Sequence, residues 1–203
     1  NVYIENIFTT SFMGIYRPLG GFFLPMNSTL LNAKEISRAI SRISHEILER
    51  NQGAGNIALV GIRTRGVALS QRLRDKIKDI ENLTVEHGVL DITLYRDDLT
   101  KGLQKPALKN TEILFALENK HIVLCDDVLF TGRTIRAAID ALMDFGRPSS
   151  VQLAVLIDRG HRELPIRPDY VGKNVPTAKS KRIQVLLNEE DGEDKVVIQE
   201  HSN

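Results

Sequence analysis

Two short apolar runs in this chain each break into a glycine-containing turn and then into an amphipathic helix, and that order dictates a layered fold. Residues 57–60 (Ile-Ala-Leu-Val) lead through Gly61 and Gly66 into a helical pattern over 67–80, with Leu69, Leu73, Ile77 and Ile80 on one side. Residues 122–125 (Ile-Val-Leu-Cys) lead through Gly132 into a second helix over 134–145, which Gly146 and Pro148 end. A third apolar run spans 151–157. Runs too short for helices, alternating with segments of period 3.6, predict an α/β fold in which a mostly parallel sheet is flanked by helices.

The remaining segments fit around that frame. Asn32 and Glu35 stand at the spacing of a capping box, and Ile36, Ile40, Ile43 and Ile47 mark one face of the helix that follows. Residues 89–95 alternate like a strand, whereas the polar stretch 97–110, with Gly102 and Pro106, reads as a mobile loop or arm. Shorter strands are expected at 183–187 and 195–198. With 203 residues, no repeat and no break in composition, one domain over residues 26–203 is expected. Residues 1–25 are apolar and aromatic-rich without the basic start of a signal peptide. They are set aside as an extension, disordered or foreign to the domain.

A net charge of +1 excludes a chain that is basic all over, though not a local basic face. No apolar run approaches the roughly 20 residues that span a bilayer. The single cysteine, Cys125, has no internal disulfide partner and lies in an apolar run, as expected of a reduced core residue in a cytoplasmic protein. Asp126 and Asp127 beside it oppose thiolate formation and argue against a nucleophile.

The chemistry concentrates in residues 122–134, where an apolar strand runs into Asp126-Asp127, crosses Val128-Leu129-Phe130, and enters a helix through Thr131-Gly132-Arg133-Thr134. In open parallel sheets ligands bind beyond the carboxyl ends of the strands. A helix N-terminus there offers N–H donors and a positive dipole end to a phosphate monoester. The two carboxylates repel a phosphate, and they suit sugar hydroxyls and a hydrated Mg²⁺ instead. Residues 61–66 (Gly-Ile-Arg-Thr-Arg-Gly) repeat the strand–turn–helix arrangement with two arginines, a nest for a polyanion.

Residues 122–134 resemble the phosphoribosyl pyrophosphate signature of the type I phosphoribosyltransferases. The resemblance implies their fold, a central mostly parallel sheet flanked by helices with a small hood. It assigns the ribose hydroxyls to Asp126 and Asp127, which would meet Mg²⁺ indirectly through substrate and water. The 5′-phosphate falls to residues 130–134, within a substrate-binding stretch from Asp126 to Thr134, and the pyrophosphate to Arg63, Thr64, Arg65 and Gly66. Residues 90–99, 155–167 and 171–177 further resemble the PyrR family, pyrimidine-operon attenuation proteins that are also uracil phosphoribosyltransferases. That likeness covers roughly 31–200. It implies transfer of a phosphoribosyl group to uracil with Mg²⁺, giving UMP and pyrophosphate. Ile157, Asp158 and Arg159 would then border uracil, and Arg96, with Tyr95 and Asp97, would open a segment closing over the leaving group. Phe130 stands where the family often has Tyr.

The same resemblance implies homodimers or homotetramers, and binding of pyrimidine-operon mRNA when UMP or UTP is bound, which favours transcription termination. The residues offer support. From Arg159 to Arg182, seven Lys or Arg face two acids, and Arg38, Arg42 and His45 share the polar face of the first helix. Arg38, Arg42, His45, His161 and Arg162 are the expected RNA contacts. A nucleotide-sensing RNA-binding regulator with weak or no catalytic activity is the alternative; a bare UMP sensor has no use for a pyrophosphate loop, so residues 61–66 favour the enzyme.

Overall fold

The computed structural model describes residues 27–93, 95 and 111–200. Chain order is β1 (Asn27–Asn32), α1 (Ala33–Asn51), β2 (Ile57–Ile62), α2 (Arg65–Glu81), β3 (Glu86–Leu90), β4 (His121–Leu129), α3 (Arg133–Met143), β5 (Ser150–Asp158), β6 (Tyr170–Asn174), β7 (Lys181–Leu186), α4 (Asn188–Asp191) and β8 (Lys195–Glu200). A five-stranded sheet, ordered β3-β2-β4-β5-β6, is parallel throughout. A separate antiparallel sheet, β1-β8-β7, forms the hood and brings together segments from opposite ends of the sequence.

Both faces of the large sheet are buried, which is why its central strands read as unbroken apolar runs. In β2, Ile57 and Leu59 pack with α1, α2 and the hood, through Ile43, Leu69, Val185 and Ile198. Ala58, Val60 and Ile62 face the opposite way, against Ile135, Ala138 and Leu142 of α3. Truncating a fully buried leucine such as Leu59 to alanine costs about 2–5 kcal/mol in cores of this kind. Cys125 is buried, and burial with the neighbouring Asp126 pushes its thiol far above the ordinary range, as expected of a core residue.

The capping box forms as expected: Asn32 Oδ1 accepts from Glu35 N at 3.0 Å and Glu35 Oε2 from Asn32 N at 2.9 Å. The third strand differs, because β3 occupies 86–90 rather than 89–95. Its alternation was obscured by Glu86 and His87, which an edge strand tolerates. Strands β1 and β6 carry too few apolar residues to stand out by pattern. The expected extension 1–25, Arg96 and the loop 97–110 lie outside the described residues.

Candidate active site

Register places three loops side by side at the carboxyl end of the sheet. Gly61 of β2 pairs with Cys125 of β4, while Asp126, Val128 and Leu129 of β4 pair with Val155, Ile157 and Asp158 of β5. The strand therefore continues through the acidic pair instead of stopping before it. Asp126 is buried at 7% exposure, and its Oδ1 accepts from Asp127 N at 3.0 Å. Asp127 Oδ1 accepts from Val128 N at 2.8 Å. Burial pushes the Asp127 carboxyl above its ordinary range, and the Val128 N–H, Asp126 and nearby Arg65 pull the other way.

Helix N-termini flank this pair on both sides. On one, Gly132 at φ 93° lets the chain turn into α3, a backbone conformation that disfavours any side chain although a Cβ there would find ordinary contact distances of 3.5 Å to Leu164 and Ile166. On the other, Gly66 opens α2 against the end of β4, where a Cβ would meet the Cys125 carbonyl oxygen at 2.3 Å. Neither helix has an acid in its first turn or a side-chain cap from Thr64 or Gly132. First-turn N–H groups have no acceptors inside a helix, so both ends offer donors to an anion. Thr131 Oγ1 accepts weakly from Arg133 N at 3.4 Å, and Arg133 Nε pairs with Glu163 at 2.7 Å.

The arginines around the first loop are not equivalent. Arg63 is exposed, its nearest described carboxylate being Glu112 at 4.0 Å, and its backbone N–H bonds Leu90 O at 3.0 Å. Arg65 instead donates from Nε and Nη2 to both oxygens of Asp191, at 3.0 and 2.7 Å. Sequence reasoning missed Asp191, although the acidic run 188–194 (Asn-Glu-Glu-Asp-Gly-Glu-Asp) signalled a partner for cations.

At the carboxyl end of β5, Ile157 is buried and Arg159 N bonds Leu129 O at 3.1 Å. The Asp158 carboxylate is engaged by Gly160 N at 2.9 Å and Arg162 Nη2 at 2.6 Å. The Arg159 guanidinium lies 4.0 Å over the Phe130 ring and donates to Lys181 O at 2.8 Å, with Ala178 O at 3.4 Å. Its Nε is buried without a partner among the described residues, and burial lowers its pKa. Phe130 thus has a structural use that needs no hydroxyl.

The expected RNA contacts divide. Arg42 bonds Glu46 at 2.7 Å and the carbonyls of Val171 and Gly172 at 2.9 and 2.7 Å, tying α1 to β6. His161 reaches Thr177 O and sets its ring edge against Phe130. Arg162 donates to Ile166 O, Phe130 O and Gly160 O besides Asp158. These three are committed within the protein, whereas Arg38 and His45 are exposed on α1. Tyr95 bonds Asp144, at the far end of α3 from the 131–134 turn, about 16 Å along an 11-residue helix. It therefore does not join the site.

Among the described residues no cluster of three or more His, Cys, Asp or Glu stands ready to hold a metal, and no helix is long and apolar enough to cross a membrane. A pair of hard oxygen donors beside two anion cradles suits a Mg²⁺ carried mainly by substrate oxygens and water.

Residues 26–190 match the phosphoribosyl transferase domain family. The chain is 60% identical over 171 residues to the bifunctional protein PyrR of Pelotomaculum thermopropionicum, covering 84% of this chain and 94% of that one. It is 59% identical over 171 residues to bifunctional protein PyrR of Clostridioides difficile, covering 84% and 97%. Among solved structures, a hypoxanthine phosphoribosyltransferase of Trypanosoma cruzi superposes with TM-score 0.66 at 20% identity, over 84% of this chain and 94% of that one. One from Staphylococcus aureus superposes with TM-score 0.60 at 18% identity, over 85% and 92%. These two share the fold.

Proposed function

This chain belongs to the bifunctional PyrR proteins of the phosphoribosyl transferase domain family, and we propose that it makes UMP and pyrophosphate from uracil and phosphoribosyl pyrophosphate. It also regulates pyrimidine genes by binding their mRNA when a uridine nucleotide is bound. One observation carries the catalytic reading: a carboxylate pair lies between two helix N-termini that lack first-turn acids. A substrate with a phosphate at one end, a diol in the middle and a pyrophosphate at the other matches that order of charges.

In this reading the α3 N-terminus, with Thr131, Gly132, Arg133 and Thr134, takes the 5′-phosphate, and Val128 to Phe130 form the wall between phosphate and sugar. Asp126 and Asp127 accept hydrogen bonds from the ribose 2′- and 3′-hydroxyls. Their negative charge also stabilises the anomeric carbon as it becomes cation-like. Residues 63–66 hold the pyrophosphate, and Arg96 is assigned to the same leaving group. Uracil sits against Ile157 and the backbone of Asp158 and Arg159, with its N1 facing the anomeric carbon. Displacement then needs orientation and shelter rather than a covalent nucleophile. Asp126 and Asp127 would reach a substrate-borne Mg²⁺ through water, and that ion would supply charge neutralisation for the leaving pyrophosphate.

The exposed Arg38 and His45 offer RNA a basic face, and unpaired bases are the usual target of such recognition. We assign residues 26–203 to one domain acting in the cytoplasm, as a homodimer or homotetramer. The deciding assay is UMP formation from uracil, phosphoribosyl pyrophosphate and Mg²⁺, with hypoxanthine and orotate as controls. Uracil-specific turnover is expected. Turnover with hypoxanthine or orotate instead, or with no base, overturns the catalytic reading.

A further inference from the structure

Helix α2 presents two arginines at i and i+7, Arg65 and Arg72, and both grip the same acidic turn of the hood. Arg72 takes Glu189 at 2.7 and 2.5 Å and Asp194 at 2.9 and 2.6 Å. Arg65 takes Asp191 alone, through two parallel bonds in the fork geometry that fixes a guanidinium in orientation as well as in place. Asp191 is itself anchored, since its Oδ2 accepts from Leu187 N at 2.9 Å. Asn188 N bonds Asp194 Oδ1 at 2.9 Å, so the turn 187–194 is closed on itself as well as held by Arg72. Asp191 therefore stands fixed on the hood without needing Arg65, while Arg65 depends on Asp191 for its direction.

We propose that Asp191 is a positioning residue for phosphoribosyl transfer, holding Arg65 so that its remaining edge faces the pyrophosphate site. This rests on the reading of residues 63–66 as the pyrophosphate loop. Nε and Nη2 are committed to Asp191, which leaves Nη1 without a partner among the described residues and available to a ligand oxygen. Arg65 also lies near enough to Asp127 for each to feel the other's charge, so it borders the acidic pair as well as the loop. An arginine with a long flexible stem loses rotamer freedom when it binds an anion. A carboxylate that has already ordered it removes that cost from the binding step.

The test compares wild type, Asp191→Ala, Asp191→Asn and Asp191→Glu in steady-state kinetics, with UMP and magnesium pyrophosphate binding measured by calorimetry. Asp191→Ala should raise KM for phosphoribosyl pyrophosphate and weaken pyrophosphate binding by about tenfold, the scale of one charge-assisted contact. The kcat should move less than about twofold, since the contact serves binding in ground and transition states alike. UMP, which lacks pyrophosphate, should bind as before. Asp191→Glu should recover part of the loss and Asp191→Asn less. A KM that stays constant or falls overturns the proposal, because Asp191 would then be neutral or a competitor for Arg65. An equal loss of UMP affinity overturns it too, by showing that the hood as a whole has shifted. Arg72→Ala, which removes the other clamp, shows what such a shift looks like. Failure of wild type to bind pyrophosphate or turn over substrate would instead sink the reading of the loop itself.

Discussion

Replacing Asp127 by asparagine separates what this carboxylate does for catalysis from what it costs the fold. Asn keeps an oxygen that can accept from Val128 N, now at 2.8 Å, so the local backbone geometry survives. What disappears is the negative charge and, in the proposed reading, one acceptor for a ribose hydroxyl. A hydrogen bond to a charged acceptor contributes about 1.5–3 kcal/mol net, and that range is roughly 10- to 150-fold in rate. The kcat/KM for phosphoribosyl pyrophosphate should fall by that factor in initial-rate assays. Stability should move the opposite way. Burial holds the Asp127 pKa above its ordinary value, so the folded chain binds this proton more tightly than the unfolded chain does. Stability then declines as pH rises from the ordinary carboxyl value through the raised one, and the deficit is complete above both. Asparagine has no charge to bury and escapes it. Unliganded Asp127→Asn should therefore melt above wild type at neutral pH, each kcal/mol adding about 2–4 °C in a chain of this size. The two should converge in acid below the ordinary carboxyl range. Unchanged turnover would refute the ribose assignment; a lower melting point at neutral pH would refute the cost of the buried charge.

Arg65→Ala should raise KM for phosphoribosyl pyrophosphate by about 10- to 100-fold while sparing UMP, because a charge-assisted contact to the pyrophosphate is lost; equal losses for both ligands would contradict that role. Gly66→Ala would place a Cβ 2.3 Å from the Cys125 carbonyl oxygen. Backbone has to yield there, so a drop in stability of about 1–3 kcal/mol is expected in urea titrations, together with loss of activity. Arg38→Ala with His45→Ala should weaken binding to pyrimidine-operon mRNA across sequences and reduce its salt slope by about one for each phosphate contact removed. An unaltered isotherm would take α1 off the RNA face.

Much of the candidate site was legible because it is local. The acidic pair, the Thr-Gly-Arg-Thr turn and the Arg-Thr-Arg-Gly loop each occupy a few consecutive residues, and the strand before and helix after each declare themselves by periodicity. The capping box of α1 and the burial of Cys125 could be read on the same terms. Arginines were harder to place. Arg42 and Arg162 carry the charge expected of an RNA face, yet Arg42 donates to carbonyls of β6 and Arg162 to that of Phe130. A cation on a polar helix face looks the same in sequence whether its partner is a phosphate or a backbone oxygen far along the chain.

The alternation of the central strands with helices, the parallel sheet and the position of both glycine-containing loops were already contained in the order of residues, since hydrophobic period and turn chemistry act over short spans, whereas β1 and β6 were not. Tertiary structure alone chose the pairings. The hood joins Asn27–Asn32 to Lys195–Glu200, and Arg65 meets Asp191 rather than the acids nearer to it in the chain. Charge attraction is blind to sequence distance and many carboxylates would satisfy it equally. Packing of the hood on α1 and α2 selects one of them by bringing the acidic turn 187–194 over the first turns of α2.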